Sequence, residues 1–148
     1  MAEKIAIGSD HGGFGLKGNL KAYLEKKGYR LTDFGTGSEE PCDYPLIGYR
    51  LSKEVSKGRF RKGILICKSG IGMAIIANKL PGVRSGVCNT TRQARTSRLH
   101  NDTNVLSLAA EYVSAGNAKK IAHTWLTTKA LGGRHARRVR EIRHLEKK

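Results

Sequence analysis

Long hydrophobic runs are missing from this 148-residue chain. The longest, such as Ile64-Leu65-Ile66-Cys67, cover a few residues, where a membrane-spanning helix needs about 20. The opening Met1-Ala2-Glu3-Lys4 has no apolar core of a secretory signal. Three cysteines, none in C-x-x-C spacing, exclude a disulfide framework and speak against a zinc ribbon, so the expected compartment is the cytoplasm. Three prolines leave no Pro-rich linker. Aromatic residues are 6%, too few for the stacking platforms that bind single-stranded nucleic acid. Acidic side chains are the most telling shortage: 12 Asp and Glu face 28 Lys and Arg, a net charge of +16. That balance predicts attraction to anions, whether nucleic acid, an acidic membrane or a phosphorylated small molecule.

The chain does have 39% apolar residues, enough for a core, which excludes wholesale disorder. Its length suits one domain, residues 1–148. Five short apolar segments recur, each followed by turn residues: Ile5–Gly8, Tyr29–Phe34, Gly63–Cys67, Gly82–Cys88 and Thr103–Leu108. The third is an almost continuous apolar run, as expected of a strand buried on both faces. Helical periodicity fills the intervals. Leu16, Leu20, Tyr23 and Leu24 lie on one face, Ile47, Leu51 and Val55 on another, and Ala118, Ile121, Ala122, Trp125 and Leu126 form a wide late stripe. Strands alternating with helices predict an α/β fold: a doubly wound, Rossmann-like domain with a five-stranded parallel sheet and helices on both faces. A basic helix over about 134–147 follows Gly132-Gly133, with Val139, Ile142 and Leu145 on its packing side.

Ligands of such folds bind beyond the carboxyl ends of the strands, so the loops there come first. Gly8-Ser9-Asp10-His11-Gly12-Gly13 is suited to a polar ligand, or equally to a turn in which Asp10 caps the next helix. Asp43-Tyr44-Pro45 reads as an ordinary turn with Pro45 at a helix start. The richest stretch is Cys67-Lys68-Ser69-Gly70-Ile71-Gly72-Met73, where a cysteine ends a buried strand and a glycine-containing loop opens a helix. Amides and helix dipole there suit an anion, and with Lys68 alongside they suit a charged sulfur on Cys67. The plainer alternative is a small buried hydrophobe, which is the reading for Cys42 and Cys88. His100 and Asn101 are expected in a turn facing the same strand ends as Cys67, with His100 able to exchange protons near neutral pH. The alternative there is a surface loop with Asp102 or Asn104 as turn formers. Arg134 and Arg138, four residues apart, share a helix face that fits a phosphate or is merely solvated. His123 and His144 read as structural or exposed, and no cluster has metal-ligand spacing.

Together, G-S-D-H-G-G, D-Y-P, G-I-L-I-C-K-S-G-I-G-M, A-N-K, R-x-H-N-D-T-N and G-G-R-H-x-x-R, in this order over about residues 4 to 143, resemble the type B ribose-5-phosphate isomerase family, which includes galactose-6-phosphate isomerase subunits. The resemblance implies aldose–ketose isomerisation of a phosphosugar without metal or cofactor. Cys67 would be the base, and Ser69 with the amides of Gly70, Ile71, Gly72 and Met73 would hold the enediolate oxygen. His100 would open the sugar ring, with Asp10 steadying hydroxyls and Tyr44 lining the pocket. His11, Arg134 and Arg138 would hold the phosphate. It also implies a homodimer or tetramer with shared active sites, so that Asn101 and some arginines come from a partner chain. Ribose 5-phosphate and ribulose 5-phosphate are the expected pair. The alternatives are a six-carbon phosphosugar such as allose or galactose 6-phosphate, or, from charge alone, a basic nucleic-acid-binding module. Two positions depart from the family pattern: Lys68 stands where many members have Gly, and Glu111 where several have an Arg that grips phosphate.

Overall fold

The computed structural model describes residues 2–148. Five strands form one parallel sheet in the order β2-β1-β3-β5-β4. They are β1 (Lys4–Ser9), β2 (Arg30–Asp33), β3 (Lys62–Cys67), β4 (Ser85–Val87) and β5 (Val105–Ala109). The helices are α1 (Phe14–Lys26), α2 (Tyr44–Ser56), α3 (Ile71–Ala77), α4 (Thr91–Asn101), α5 (Ala115–Thr127) and α6 (Gly133–Glu146). β1 and β3 pair from Ile5↔Lys62 to Ser9↔Ile66, and β3 and β5 pair from Gly63↔Val105 to Cys67↔Ala109. The expected doubly wound architecture follows from crossover handedness. Connections that move one way along the sheet lay their helices on one face, and those that move the other way use the opposite face. Accordingly α1, α4 and α5 bury Leu20, Ala94 and Trp125 against Ile5, Ile7, Ile64 and Ile66. On the other face α2 and α3 bury Leu51, Val55 and Met73 against Ala6, Leu65 and Val105. Each fully buried large side chain contributes roughly 1.5–3 kcal/mol.

Three boundaries differ from the sequence reading. The fourth strand is only three residues long, because Arg84 and Ser85 amides bond to the side chains of Asn104 and Asn78 at its entry. The fifth begins at Val105 instead of Thr103: Thr103 is held in the turn by the Ser97 carbonyl and receives the Trp125 indole N–H at 2.9 Å. The segment Ser97–Asn101 is helix, where a turn was expected. Only Ala94 and Arg98 of α4 are buried, so no apolar stripe betrayed it. Arg98 pins its end to Asp102 at 2.8 Å, to the Thr103 carbonyl and to the Thr128 carbonyl, and Asp102 stops it in a left-handed conformation.

Close packing at the start of α1 gives a test. A Cβ on Gly13 would lie 2.6 Å from Ile66 Cγ2 and 2.9 Å from the Ile66 carbonyl oxygen. Gly13→Ala should cost about 1–3 kcal/mol through overpacking. Two residues further, Gly15 faces open space, and Gly15→Ala should stabilise α1 by roughly 0.5–1 kcal/mol. Urea denaturation of both variants reads the opposite signs.

Candidate active site

The order of strands reverses between β1 and β3, and the loops leaving their carboxyl ends wall a cavity of about 470 Å³. Asp10, His11, Tyr44, Cys67, Ser69 and Gly72 line it. Cys67 ends β3 and is 5% exposed. Its Sγ accepts the Gly70 amide N–H at 3.2 Å, which fixes the sulfur in the loop. The loop curls under the sulfur only because residue 70 is glycine. Its φ is +75°, and a Cβ there would sit 3.1 Å from the Leu108 carbonyl carbon. Ser69 Oγ accepts the Ile71 amide at 3.2 Å. Gly72 and Met73 amides fall in the first turn of α3, which has no carbonyl of its own helix for them. The Met73 side chain is fully buried, so that residue offers only its backbone.

Asp10 caps a turn and also lines the cavity. Its Oδ1 accepts the Gly13 amide at 3.1 Å, capping a short 3-10 turn, and the buried carboxyl still lines the cavity. His11 Nδ1 accepts the Cys42 amide at 3.1 Å, which in the neutral ring leaves Nε2–H as its donor. Tyr44 begins α2 beside Pro45, and its ring lies directly over Gly72. Lys68 lines the same cavity, its stem packed over Gly12, and its carbonyl accepts the Glu111 amide at 3.0 Å. The two departures from the family pattern are therefore neighbours, on adjoining strand-end loops. Cys88 is a core residue: burial holds its thiol above the usual value, against a smaller pull from the Ser97 hydroxyl.

The structure does not bring His100, Asn101, Arg134 and Arg138 to this cavity. His100 and Asn101 close α4, which starts beside the carboxyl end of β4 and runs back to the amino edge of the sheet. An 11-residue helix spans roughly 16 Å, so His100 does not face the strand ends where Cys67 sits. Asn101 lines a separate groove along β4 and α4. Arg134 and Arg138 lie exposed on α6, which packs on α4. There the His135 ring stacks on His100, with centroids 4.2 Å apart and planes 6° from parallel. Burial lowers the proton affinity of His135, and the adjacent His100, Arg134 and Arg138 lower it further. Sequence reasoning missed this stack and the Cys42 contact, because neither leaves a periodic trace. It also missed Ile75 in the cavity lining, whose signal was the i, i+4 pairing with Ile71.

A family model described as Ribose/Galactose Isomerase matches residues 5–142. The chain is 42% identical over 146 residues to ribose-5-phosphate isomerase B of Escherichia coli, covering 99% of this chain and 98% of that one. It is 38% identical to D-erythrulose-4-phosphate isomerase of Pectobacterium atrosepticum, covering 96% and 94%. Its fold superposes on ribose-5-phosphate isomerase B of Clostridium thermocellum with a TM-score of 0.95, 46% identity and 97% of both chains covered.

The cavity floor yields a coupling test. Gly72→Ala drives a Cβ into the Tyr44 ring. The single variant should lose stability, and adding Tyr44→Ala should recover part of it, with a coupling of about 0.5 kcal/mol or more by double-mutant cycle.

Proposed function

The chain belongs to the ribose/galactose isomerase family, and from that premise we propose that it interconverts ribose 5-phosphate and ribulose 5-phosphate by moving one proton between C1 and C2. The observation that carries the proposal is the buried Cys67 sulfur, held by the Gly70 amide at the floor of a polar cavity. In the open-chain aldose the sulfur, as thiolate, takes the C2 proton. The C2–H electron pair forms the C1=C2 bond, and the carbonyl pair moves onto O1. Ser69 and the free amides of Gly72 and Met73 stabilise that oxyanion. The proton returns to C1 while the O2 proton passes to O1, which leaves the ketose. Ring opening precedes this step. The C1–ring oxygen bond breaks, and its electron pair goes to the ring oxygen, which takes a proton from His100. The C1 hydroxyl gives its proton to water and becomes the carbonyl. Asp10 steadies the sugar hydroxyls, Tyr44 bounds the pocket, and His11 Nε2–H meets the phosphate.

His100, Asn101, Arg134 and Arg138 enter this scheme from a second copy of the chain. The same chain holds them at the opposite edge of the sheet, so a complete site needs two copies in a homodimer, alone or within a tetramer. Exposed apolar side chains flank the cavity and suit such a contact: Leu46 and Tyr49 on α2, Ile71 and Ile75 on α3. No described helix is long and apolar enough to cross a membrane, and three free cysteines fit the reducing cytoplasm. A six-carbon substrate such as allose or galactose 6-phosphate is the second reading, supported by the galactose in the family model's description and by a relative named for a phosphosugar of another chain length. Rates against a panel of pentose and hexose phosphates decide between them.

Cys67→Ala should abolish turnover and leave substrate binding nearly intact, because the thiolate acts mainly in the transition state. Cys42→Ala and Cys88→Ala should keep the chemistry. Mixing Cys67→Ala with His100→Asn should restore roughly a quarter of wild-type activity on ribose 5-phosphate, since random dimers of two variants rebuild one intact site in half of the pairs. No recovery after subunit exchange would refute the shared site. Arg138→Ala should weaken phosphosugar affinity by about tenfold to a hundredfold, the loss of a charge-assisted contact of roughly 1.5–3 kcal/mol. Lys147→Ala and Lys148→Ala should leave it unchanged. Uniform loss across all tail charges, with steeply salt-dependent binding of duplex DNA, would instead support the nucleic-acid module.

A further inference from the structure

We propose that His135 is the positioning residue for His100: its ring, lying flat on that of His100, fixes the plane in which the ring-opening imidazole is presented. This rests on the reading of His100 as the acid that opens the sugar ring. His100 is an exposed side chain on the last turn of α4, and its ring has no hydrogen-bond partner among the described residues. A free imidazole there would sample several rotamers. The half-buried His135 ring, 4.2 Å away and 6° from parallel, is the contact that orders it.

Charge decides which ring stays neutral. The pair borders a groove between α4, α6 and the segment joining α5 to α6. From α6 it is faced by Arg134, Arg138, Arg140 and Arg143. The α5–α6 segment adds only Ala130 and Leu131 to the groove. Asp102, at the end of α4, is the one carboxylate in the lining, and it is already bonded to Arg98 at 2.8 Å and to Arg84 at 3.4 Å. Two stacked imidazolium rings in that surrounding repel each other, so the second proton is disfavoured. Partial burial and the adjacent cations pull protons away from His135 in particular. His135 is therefore the ring of the pair left neutral, and it meets His100 as a flat uncharged face.

The test exploits a difference between the two substrates. Ribose 5-phosphate is mostly furanose, whereas ribulose 5-phosphate has its O5 blocked by phosphate and cannot close a five-membered ring. The reverse reaction bypasses ring opening, its aldehyde product closing in solution. His135→Ala should lower kcat on ribose 5-phosphate roughly tenfold or more with little change in KM, and leave the reverse direction nearly unchanged. His135→Phe, which restores a flat face without a titrating nitrogen, should recover most of that loss. The ratio of forward to reverse kcat should fall toward acid pH in the wild type, as His135 takes the second proton and the rings part, and should stay level in His135→Phe. Equal slowing of both directions by His135→Ala, no slowing, or no rescue by Phe would overturn the proposal. His100→Asn in the same assay separates the two layers. If it fails to slow ribose 5-phosphate selectively, the ring-opening role itself is lost. If it is selective and His135→Ala is not, only the positioning role falls.

Discussion

The pairing of β1 with β3 is the constraint on which the rest of the molecule depends. The chain runs from β1 outward to β2, then returns across the sheet to lay β3 on the other flank of β1. Both strands are parallel and buried, so their carboxyl ends open at the same edge, and the loops that leave them must diverge to opposite faces of the sheet. The crevice between the diverging loops is the cavity. Its depth is set by backbone bonds: the Asp10 amide donates to the Ile66 carbonyl, and the Ala110 amide to the Cys67 carbonyl. Asp10 and Cys67 are thus placed by ladder hydrogen bonds, which leave them little freedom. The proposed proton transfer at one carbon needs that rigidity.

The same geometry divides the chemistry. A helix that returns from one strand to the start of the next necessarily ends at the amino edge of the sheet. α4 does this, and carries His100 and Asn101 away from Cys67. α6 docks on α4 at that far edge and brings two arginines and His135 with it. Each chain therefore holds Cys67 and its amide-rich loop at one edge, and His100 with two exposed arginines at the other. Association of two copies is what the reaction scheme demands of this arrangement.

A small part of the charge excess serves the fold. Lys17, nearly buried, and Lys21 both bind Asp33 at the end of β2. Burial alone would raise the Asp33 carboxyl, but the hydrogen bonds from Lys17, the Gly35 amide and Lys21 outweigh it and hold the group below its usual range. At the amino edge, Arg84 and Arg98 straddle Asp102 and bond to the carbonyls of neighbouring turns. These cations act as staples between loops. Those on α6 are different: Arg134, Arg137, Arg138 and Arg140 are exposed, and only Arg137 has an acidic partner, Glu141 at 3.7 Å.

Local sequence by itself determined the parallel α/β architecture and the polar loops at strand ends. Strand burial and helix amphipathicity are short-range patterns, written in the spacing of Ile5–Gly8, Gly63–Cys67 and the Trp125 stripe. Cys67, Ser69 and Gly70 were legible for the same reason, since one loop of seven residues contains both the sulfur and the amide that binds it. The helical state of Ser97–Asn101 was not legible, because α4 buries only Ala94 and Arg98 and is stopped by contacts with Asp102, Thr103 and Thr128. Motif order likewise grouped His100 with Cys67, but a list of motifs carries no distances. Which edge of the sheet a residue occupies depends on the direction of the element beneath it and on how many strands intervene. Only the tertiary structure decided that His100 and Cys67 stand at opposite edges, that the Cys42 amide meets His11 Nδ1 from 31 residues away, and that His135 lies against His100, because each of these depends on how elements remote in the chain are packed.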